Sequence, residues 1–213
     1  MPDYTPPHGP IEILHRDEAL LLVAKPAGLL TVPGKATALA DCLLSRLEEQ
    51  DARVRLVHRL DRDTSGVMVF ARSREAQRHL GLQFERRHLS KRYEARVAGD
   101  LWPEEGCVDL PLKADWPNRP RQMVHPEGRT ARTFWNVVGR SPGETRVSLR
   151  PETGRSHQIR VHLLALGHPI LGDTLYAEET VDAHPRMMLH ATALDLRHPN
   201  GGARIGFVSP CPF

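Results

Sequence analysis

The chain has 213 residues, of which 40% are hydrophobic and 26% are charged, with a net charge of +3. This composition is typical of one globular domain, and residues 19–24, the longest apolar run near the N-terminus, are far too few to cross a membrane. The basic residues are 25 arginines and four lysines. Guanidinium groups suit RNA, because they grip phosphate and stack on bases, but a GC-rich genome favours arginine as well. Composition alone therefore does not establish RNA binding.

The cysteines and residues 1–10 indicate where in the cell the protein is located. Cys42, Cys107 and Cys211 are scattered, so neither a disulfide framework nor a zinc site is indicated, and we expect a reducing, cytoplasmic location. Residues 1–10 are rich in proline and lack the apolar segment of a signal peptide. They predict a flexible N-terminal tail, followed by one domain over residues 11–213.

The first third of the chain alternates apolar runs with polar turns. Residues 11–14 and 19–24 predict two strands around a tight turn. From residue 37 to residue 50, leucines recur every four positions, which predicts an amphipathic helix that Thr37 caps. Residues 53–57 predict a short strand.

A second helix is predicted over residues 74–87, because Ser73 is a suitable N-cap and apolar residues recur at helical spacing. The end of this helix carries Arg86, Arg87 and His88. These cations complement the negative end of the helix dipole, and a phosphate clamp is the alternative interpretation.

The middle of the chain predicts a strand and then an irregular segment. Residues 91–99 alternate strictly, so that Tyr93 points the same way as the small apolar residues. Residues 100–130 lack periodicity and predict a functional loop or a flap. Within them, Trp116, Arg119 and Arg121 combine an aromatic ring with guanidinium groups, which either clamp unpaired RNA or fold over the sheet.

The last third predicts mostly antiparallel strands. Residues 131–138 and 145–150 form a predicted pair, Ser156 is expected to cap a helix, and His157 and Arg160 share one face of that helix. Two strands follow, over residues 187–196 and 204–208. Many strands with few helices indicate an α+β fold with a largely antiparallel sheet.

The most informative stretch is His58-Arg59-Leu60-Asp61-Arg62-Asp63-Thr64-Ser65-Gly66, which precedes the apolar residues 67–71. The apolar run predicts a strand that is buried on both faces, so the polar residues before it lie at the edge of a rigid sheet. On composition alone, this stretch is a polar turn that leads into a core strand.

The pattern His-Arg-Leu-Asp-x-x-Thr-Ser-Gly is similar to the one around the catalytic aspartate of the RluA family of pseudouridine synthases. Further matches occur in the family's order over nearly the whole chain. They include Lys25-Pro26-Ala27-Gly28-Leu29, Lys91-Arg92-Tyr93-Glu94-Ala95, Gly154-Arg155-Ser156-His157-Gln158-Ile159-Arg160-Val161-His162 and Gly167-His168-Pro169-Ile170-Leu171-Gly172-Asp173. The resemblance implies a pseudouridine synthase catalytic domain over residues 11–213, built on a mixed, bent central sheet, without an S4-type RNA-binding domain.

The resemblance also implies the site. Asp61 would be the catalytic carboxylate, with Arg160 as its partner, which would lower the pKa of an aspartate by roughly 1–3 units. Tyr93 would stack on the target base, and Arg59 would enter the space that the flipped base leaves. Because the reaction is an isomerisation, no cofactor or metal is implied. The remaining residues that we assign to RNA binding are His58, Arg119, Arg121 and His157.

The expected partner is RNA, without a membrane, and we expect a monomer. Asp115-Trp116-Pro117-Asn118-Arg119-Pro120 resembles the branch of the family that modifies both uridine 746 of 23S rRNA and uridine 32 of tRNA. We therefore expect one or both of these uridines to be the target. The alternatives are another uridine in rRNA or tRNA, and a non-catalytic RNA-binding protein on the same scaffold. A hydrolase that uses Ser65 or Ser156 is disfavoured, because neither serine lies in a Gly-x-Ser-x-Gly elbow.

Overall fold

A computed structural model describes residues 4–181 and 183–213, and the chain divides into two compact units. The first unit runs to Lys91 and also takes in Ala191–Pro212, while the second comprises Arg92–His190 and Phe213. In the described residues, the helices are α1 (Leu43–Gln50), α2 (Arg74–Arg86) and α3 (Gln158–Ala165), with 3₁₀ turns at Thr37–Leu39 and Glu178–Thr180. The strands are β1 (Glu12–Arg16), β2 (Leu20–Lys25), β3 (Arg55–Leu56), β4 (Ser65–Ala71), β5 (Ser90–Ala98), β6 (Glu105–Asp109), β7 (Leu112–Ala114), β8 (Gln122–Val124), β9 (Arg132–Ser141), β10 (Glu144–Pro151), β11 (Leu189–Arg197) and β12 (Arg204–Val208).

The strands of the first unit are arranged in the order β1-β2-β4-β11, with β12 beside β11 and β3 beside β4. The pairs β1–β2, β2–β4, β3–β4 and β11–β12 are antiparallel. Every residue of β4 is buried, so the prediction of a strand buried on both faces is confirmed. Gly66, the second residue of this strand, has a φ of +113° and lies against the backbone of Ala191, where a Cβ would collide. The glycine of the central motif is therefore required for packing.

The predicted helix over residues 37–50 was wrong in its first half. Thr37 lies in a 3₁₀ turn, and α1 begins only after Cys42, whose sulfur accepts from the Ser45 N–H while the Ser45 hydroxyl accepts from the Cys42 N–H. This reciprocal cap starts the helix later than the leucine spacing suggested. The prediction for α2 was confirmed, since Ser73 Oγ accepts from the Ala76 N–H at 3.0 Å.

The second unit has the strand order β5-β10-β9-β6, and the pairs β5–β10, β9–β10 and β6–β9 are antiparallel. A core cluster lies on one side of these strands, where Ala95, Val97, Trp135 and Leu149 are buried. The prediction that residues 100–130 are irregular was wrong, because they contain β6 and the antiparallel hairpin β7–β8. The prediction that residues 131–138 and 145–150 pair was confirmed.

The start of α3 also differs from the prediction. Ser156 does not cap this helix, because α3 begins at Gln158 and the preceding residue, His157, adopts a left-handed φ of +53° without a side-chain cap. The Gln158 side chain holds the approach instead, accepting from Thr153 Oγ1 at 2.6 Å and from the Arg155 N–H at 3.0 Å. A cap supplied by a long side chain from within the helix leaves no simple sequence signature.

The α+β class and the mostly antiparallel strand pairing are confirmed. In the described residues, no helix is long and apolar enough to span a membrane. Residues 1–3 of the predicted tail lie outside the described residues, but Tyr4 donates to the Asp41 carbonyl at 2.9 Å and Pro7 accepts from Arg46 at 3.0 Å. Tyr4 and Pro7 are therefore anchored to α1 and the loop before it.

Candidate functional site

Asp61 lies on a turn that leads directly into β4. Its carbonyl accepts from the Thr64 N–H at 3.3 Å, which closes the turn. The preceding residue, Leu60, is held on both sides of its backbone by Thr31, whose hydroxyl donates to the Leu60 carbonyl at 2.7 Å and accepts from its N–H at 3.3 Å. The half-buried Asp61 carboxylate is thus carried by a backbone that is fixed before and after it.

A buried lysine supports the other side of this turn. Lys25 is only 1% exposed and donates to the carbonyls of Pro26 at 2.8 Å, Leu29 at 2.6 Å and Arg62 at 2.8 Å. An ammonium has three protons in a tripod, which matches three carbonyls from two loops. The sequence matched this lysine to a family motif without giving it a role. The signal that could have revealed one is a charged residue at the end of an otherwise apolar strand.

Arg59 is exposed, and its side chain forms no ion pair or hydrogen bond with the described part of the chain. Arg59 does not form a surface salt bridge with the nearby Asp63. Asp63 pairs instead with Arg62, whose Nε and Nη2 donate to it at 2.8 and 2.9 Å. The Arg59 guanidinium therefore remains available to a ligand.

His58 makes structural contacts. Its Nε2 accepts from the Val69 N–H of β4 at 3.2 Å, and its ring stacks on Phe84 of α2 with 4.5 Å between centroids. An imidazolium has no acceptor nitrogen, so this contact requires the neutral ring. Burial, with a smaller contribution from the nearby Lys91, lowers the pKa of His58 to about 3. Its assignment to RNA binding stays a prediction.

Because the pKa of His58 is lowered in the folded state, we expect the free energy of unfolding to depend on pH. Unfolded His58 has a pKa of about 6.5, so below that pH the unfolded state binds a proton that the folded state excludes. The stabilisation is complete above about pH 6.5 and declines by at most about 1.4 kcal/mol per pH unit as the pH falls towards 3. Urea unfolding of the wild type and of His58→Gln between pH 8 and pH 4 checks this. The glutamine keeps an acceptor for Val69, and we expect the wild type to lose its advantage in acid. Parallel curves would contradict the assignment.

In the second unit, Arg160 of α3 is held by a buried carboxylate. Its Nε and Nη2 donate to Oδ2 and Oδ1 of Asp173, both at 2.7 Å, and the two residues are 3% and 0% exposed. Asp173 Oδ1 also accepts from the N–H groups of Leu175 and Tyr176 at 2.9 and 3.2 Å. This bidentate pair fixes the plane of the Arg160 guanidinium.

Tyr176 connects several of the predicted residues. Its hydroxyl accepts from the Gln122 N–H at 2.7 Å and lies 2.8 Å from Nδ1 of His157. The centre of its ring is 5.0 Å from the guanidinium carbon of Arg160 and 5.3 Å from that of Arg121, within the range of cation–π contacts. The sequence did not single out Tyr176, although it follows the matched Gly172-Asp173 by three residues.

The tip of the hairpin β7–β8 carries Arg119 and Trp116, which the sequence analysis associated with RNA binding. Arg119 stacks on Trp116, with 3.0 Å from its guanidinium carbon to the ring centre, and the Trp116 side chain is 65% exposed. The tip is closed by Asn118, whose Nδ2 donates to Asp115 at 2.9 Å. An exposed ring with a guanidinium on one face is a surface on which an unpaired base can stack.

The structure places the predicted residues in two groups, one in each unit. In the first unit, His58, Arg59 and Asp61 lie on the turn before β4. In the second, Tyr176 brings Arg121, His157 and Arg160 together, and Arg119 lies on the same hairpin as Arg121. Tyr93 is half-buried on β5 and packs against the core cluster with Ala95 and Val97, as its alternation predicted.

Comparison with known proteins identifies the chemistry that this arrangement belongs to. Residues 19–165 match the family model described as RNA pseudouridylate synthase. The chain is 48% identical over its full length to a protein of Salmonella typhi and 47% identical to one of Escherichia coli K12, both named dual-specificity RNA pseudouridine synthase RluA. The alignment covers 99% of each relative.

Two human proteins of known structure have a similar fold. RNA pseudouridylate synthase domain containing 1 superimposes with a TM-score of 0.81 and 27% identity, over 98% of this chain and 87% of the human one. RNA pseudouridylate synthase domain containing 4 gives a TM-score of 0.73 and 26% identity, over 94% and 88%. The similarity in sequence and the similarity in fold thus extend over nearly the whole chain.

Proposed function

The chain belongs to the RNA pseudouridylate synthase family and is an isomerase, and we propose that it converts loop uridines of two RNAs, uridine 746 of 23S rRNA and uridine 32 of tRNA. The similar bacterial proteins are named dual-specificity enzymes, and the motif Asp115-Trp116-Pro117-Asn118-Arg119-Pro120 lies on the exposed tip of the hairpin β7–β8. The names of these relatives support two RNA substrates rather than one, and the exposed tip offers a surface for contact with RNA.

The reaction breaks the bond between C1′ of the ribose and N1 of the uracil, rotates the base, and joins C1′ to C5. The proton that C5 loses is balanced by the one that N1 gains, so the product is an isomer of the substrate. The chemistry requires a carboxylate that acts as nucleophile or base on a nucleotide held away from water.

Asp61 supplies this carboxylate. The observation that carries the proposal is the anchoring of its turn, in which Thr31 holds Leu60 and the buried Lys25 holds the Arg62 carbonyl. A nucleophile must meet the reacting carbon within a few tenths of an ångström, and a backbone fixed on both sides of Asp61 supports that requirement.

Tyr93 and Arg160 complete the catalytic set that we propose. Tyr93 stacks on the uracil, and Arg160 contributes a permanent positive charge that favours the ionised form of a catalytic carboxylate. Asp173 acts through Arg160 as a positioning residue, because its two hydrogen bonds fix the guanidinium. Arg119, Arg121 and His157 bind the RNA on the hairpin and at the start of α3.

Arg59 makes a testable contribution to the extrusion of the target uridine. Extrusion from a structured loop costs on the order of a few kcal/mol, and a side chain that fills the vacated space lowers that cost. Arg59→Ala should therefore reduce kcat/KM on a stem-loop about tenfold or more, with a much smaller loss on a short flexible oligonucleotide. Steady-state kinetics on both RNAs check this, and equal losses on the two would contradict a role in flipping.

The proposed substrates are tested by mapping pseudouridine in total RNA from cells with and without the gene. We expect the sites in 23S rRNA and in tRNA to disappear together and to return when the purified protein is added. Loss of a different uridine would replace the proposed targets while leaving the reaction unchanged. Tritium release from RNA labelled at C5 of uridine separates this enzyme from a non-catalytic RNA-binding protein on the same scaffold.

A further inference from the structure

A groove of about 530 Å³ opens in the first unit, where the end of α2 meets β11 and β12. We call it the basic groove. Its polar lining consists of Arg87, His88, Ser90, Asp195, Arg197 and Arg204. None of these residues belongs to the set proposed for catalysis.

The charges in the basic groove are unbalanced. Arg87, Arg197 and Arg204 lie around it with one carboxylate, Asp195, and none of the three forms an ion pair with the residues that the structure describes. The exposed Arg53 of the same unit, in contrast, pairs with Glu18 at 3.5 Å. Uncompensated like charges repel one another, so a groove that collects them favours an anionic ligand.

The groove is also rigid. The amide of the buried Gln83 donates to the Arg197 carbonyl at 2.8 Å, and its oxygen accepts from the Arg197 N–H at 2.7 Å, which ties α2 to the end of β11. The Gln83 carbonyl accepts from the His88 N–H at 2.9 Å, and Arg87 ends the helix with a left-handed φ of +59°. The guanidinium groups therefore extend from a fixed frame, so less ordering is needed on binding.

The pKa of the neighbouring Lys91 is consistent with an excess of positive charge at the basic groove. Burial, followed by the positive charge of Arg87, lowers the pKa of Lys91 to about 8. The role of complementing the α2 dipole applies to Arg87 and His88 at the end of that helix. It gives no reason for Arg197 and Arg204, which come from the end of β11 and the start of β12.

We propose that the basic groove binds backbone phosphates of the substrate RNA. The proposal rests on the proposed function, because the ligand is that RNA. Guanidinium groups, an imidazole and the Ser90 hydroxyl are donors that suit phosphate oxygens, and the lining contains no Phe, Tyr or Trp side chain on which a base could stack. The contact is thus independent of base sequence and adds affinity rather than target choice.

The test replaces the three arginines together, as Arg87→Gln, Arg197→Gln and Arg204→Gln. The matched control is Arg53→Gln, Arg74→Gln and Arg78→Gln, which makes the same change of charge at exposed positions of the same unit. Fluorescence anisotropy with a tRNA anticodon stem-loop is measured between about 50 and 200 mM salt, where counterion release is large. Circular dichroism confirms that both proteins are folded.

We expect the groove variant to bind the stem-loop about tenfold or more weakly, and its log–log salt slope to fall by about 0.7–0.9 for each lost phosphate contact. The control should keep the wild-type slope. Arg204→Gln alone, at an exposed strand end, should lower the slope by about one contact if the triple variant does not fold. Wild-type affinity and slope in these groove variants, or equal losses in the control, would overturn the proposal.

The same proteins separate the two inferences. If the wild type releases no tritium from any RNA, the proposed function fails. If the wild type is active while the groove variants bind like the wild type, the basic groove alone is wrong. When RNA is saturating, the groove variant should keep a kcat close to that of the wild type, since none of its changes touches the proposed catalytic residues.

Discussion

Asp61→Asn should abolish pseudouridine formation while leaving the fold and the affinity for RNA nearly unchanged. The amide is almost isosteric with the carboxylate, so the turn held by Thr31 and Lys25 should keep its backbone contacts. It can neither attack the ribose or base as an anion nor accept a proton at neutral pH. We expect at least about a 10³-fold loss of turnover, in line with the removal of other catalytic nucleophiles. Tritium release under single-turnover conditions measures it.

Asp63→Asn is the matched control for this experiment. Asp63 is two residues away and pairs with Arg62 on the protein surface, where an ion pair contributes about 1 kcal/mol or less. The control should lose little activity and little stability. Turnover in Asp61→Asn within about tenfold of the wild type would remove Asp61 from its central role, because the reaction would then proceed without the Asp61 carboxylate.

Asp173→Asn should be among the most destabilising single substitutions in the second unit. Asp173 is fully buried and is the bidentate partner of Arg160, so the change leaves a buried guanidinium without this counter-ion. Breaking a buried pair in this way costs about 3–5 kcal/mol. Urea unfolding at pH 7 measures the loss. We also expect kcat to fall in the folded fraction, because the guanidinium loses the two contacts that fix its plane.

A double variant distinguishes stability from positioning. Arg160→Met combined with Asp173→Leu replaces the buried pair by apolar side chains of similar volume, which is often neutral or stabilising. It should recover most of the free energy of unfolding but no turnover. If the double variant were active, Arg160 would have no part in the reaction. If Asp173→Asn were as stable as the wild type, the pair would not be the buried contact described above.

The sequence predicted well where one local signal decides the structure. Ser73 caps α2 as expected, because serine is strongly preferred at the N-cap and here directly precedes a helical apolar stripe. The buried strand β4 was predicted for a similar reason, since a short apolar run after Thr-Ser-Gly is too short for a buried helix. Motif matching then identified the segment that carries Asp61.

The errors have a different origin. The start of α1 is set by the pair Cys42 and Ser45, and the approach to α3 is held by Gln158, neither of which is a standard cap. The strand β6 pairs with β9 but reads as irregular in sequence, because only Val108 of its five residues is buried. Contacts between residues far apart in the chain, such as the one from Tyr176 to Gln122, have no periodicity that a sequence could reveal.

The ammonium of Lys25 constrains how this protein could be redesigned. Transplanting the nine-residue motif around Asp61 into another scaffold would separate the Arg62 carbonyl from the lysine that binds it, so the graft would have to include residues 25–29 as well. Arginine is a poor replacement at position 25, because a planar fork cannot reproduce a tripod that serves three carbonyls. The loop that follows Lys25 and the loop that carries Asp61 are more than thirty residues apart in sequence, but they depend on each other structurally. A successful chimera must therefore exchange both loops.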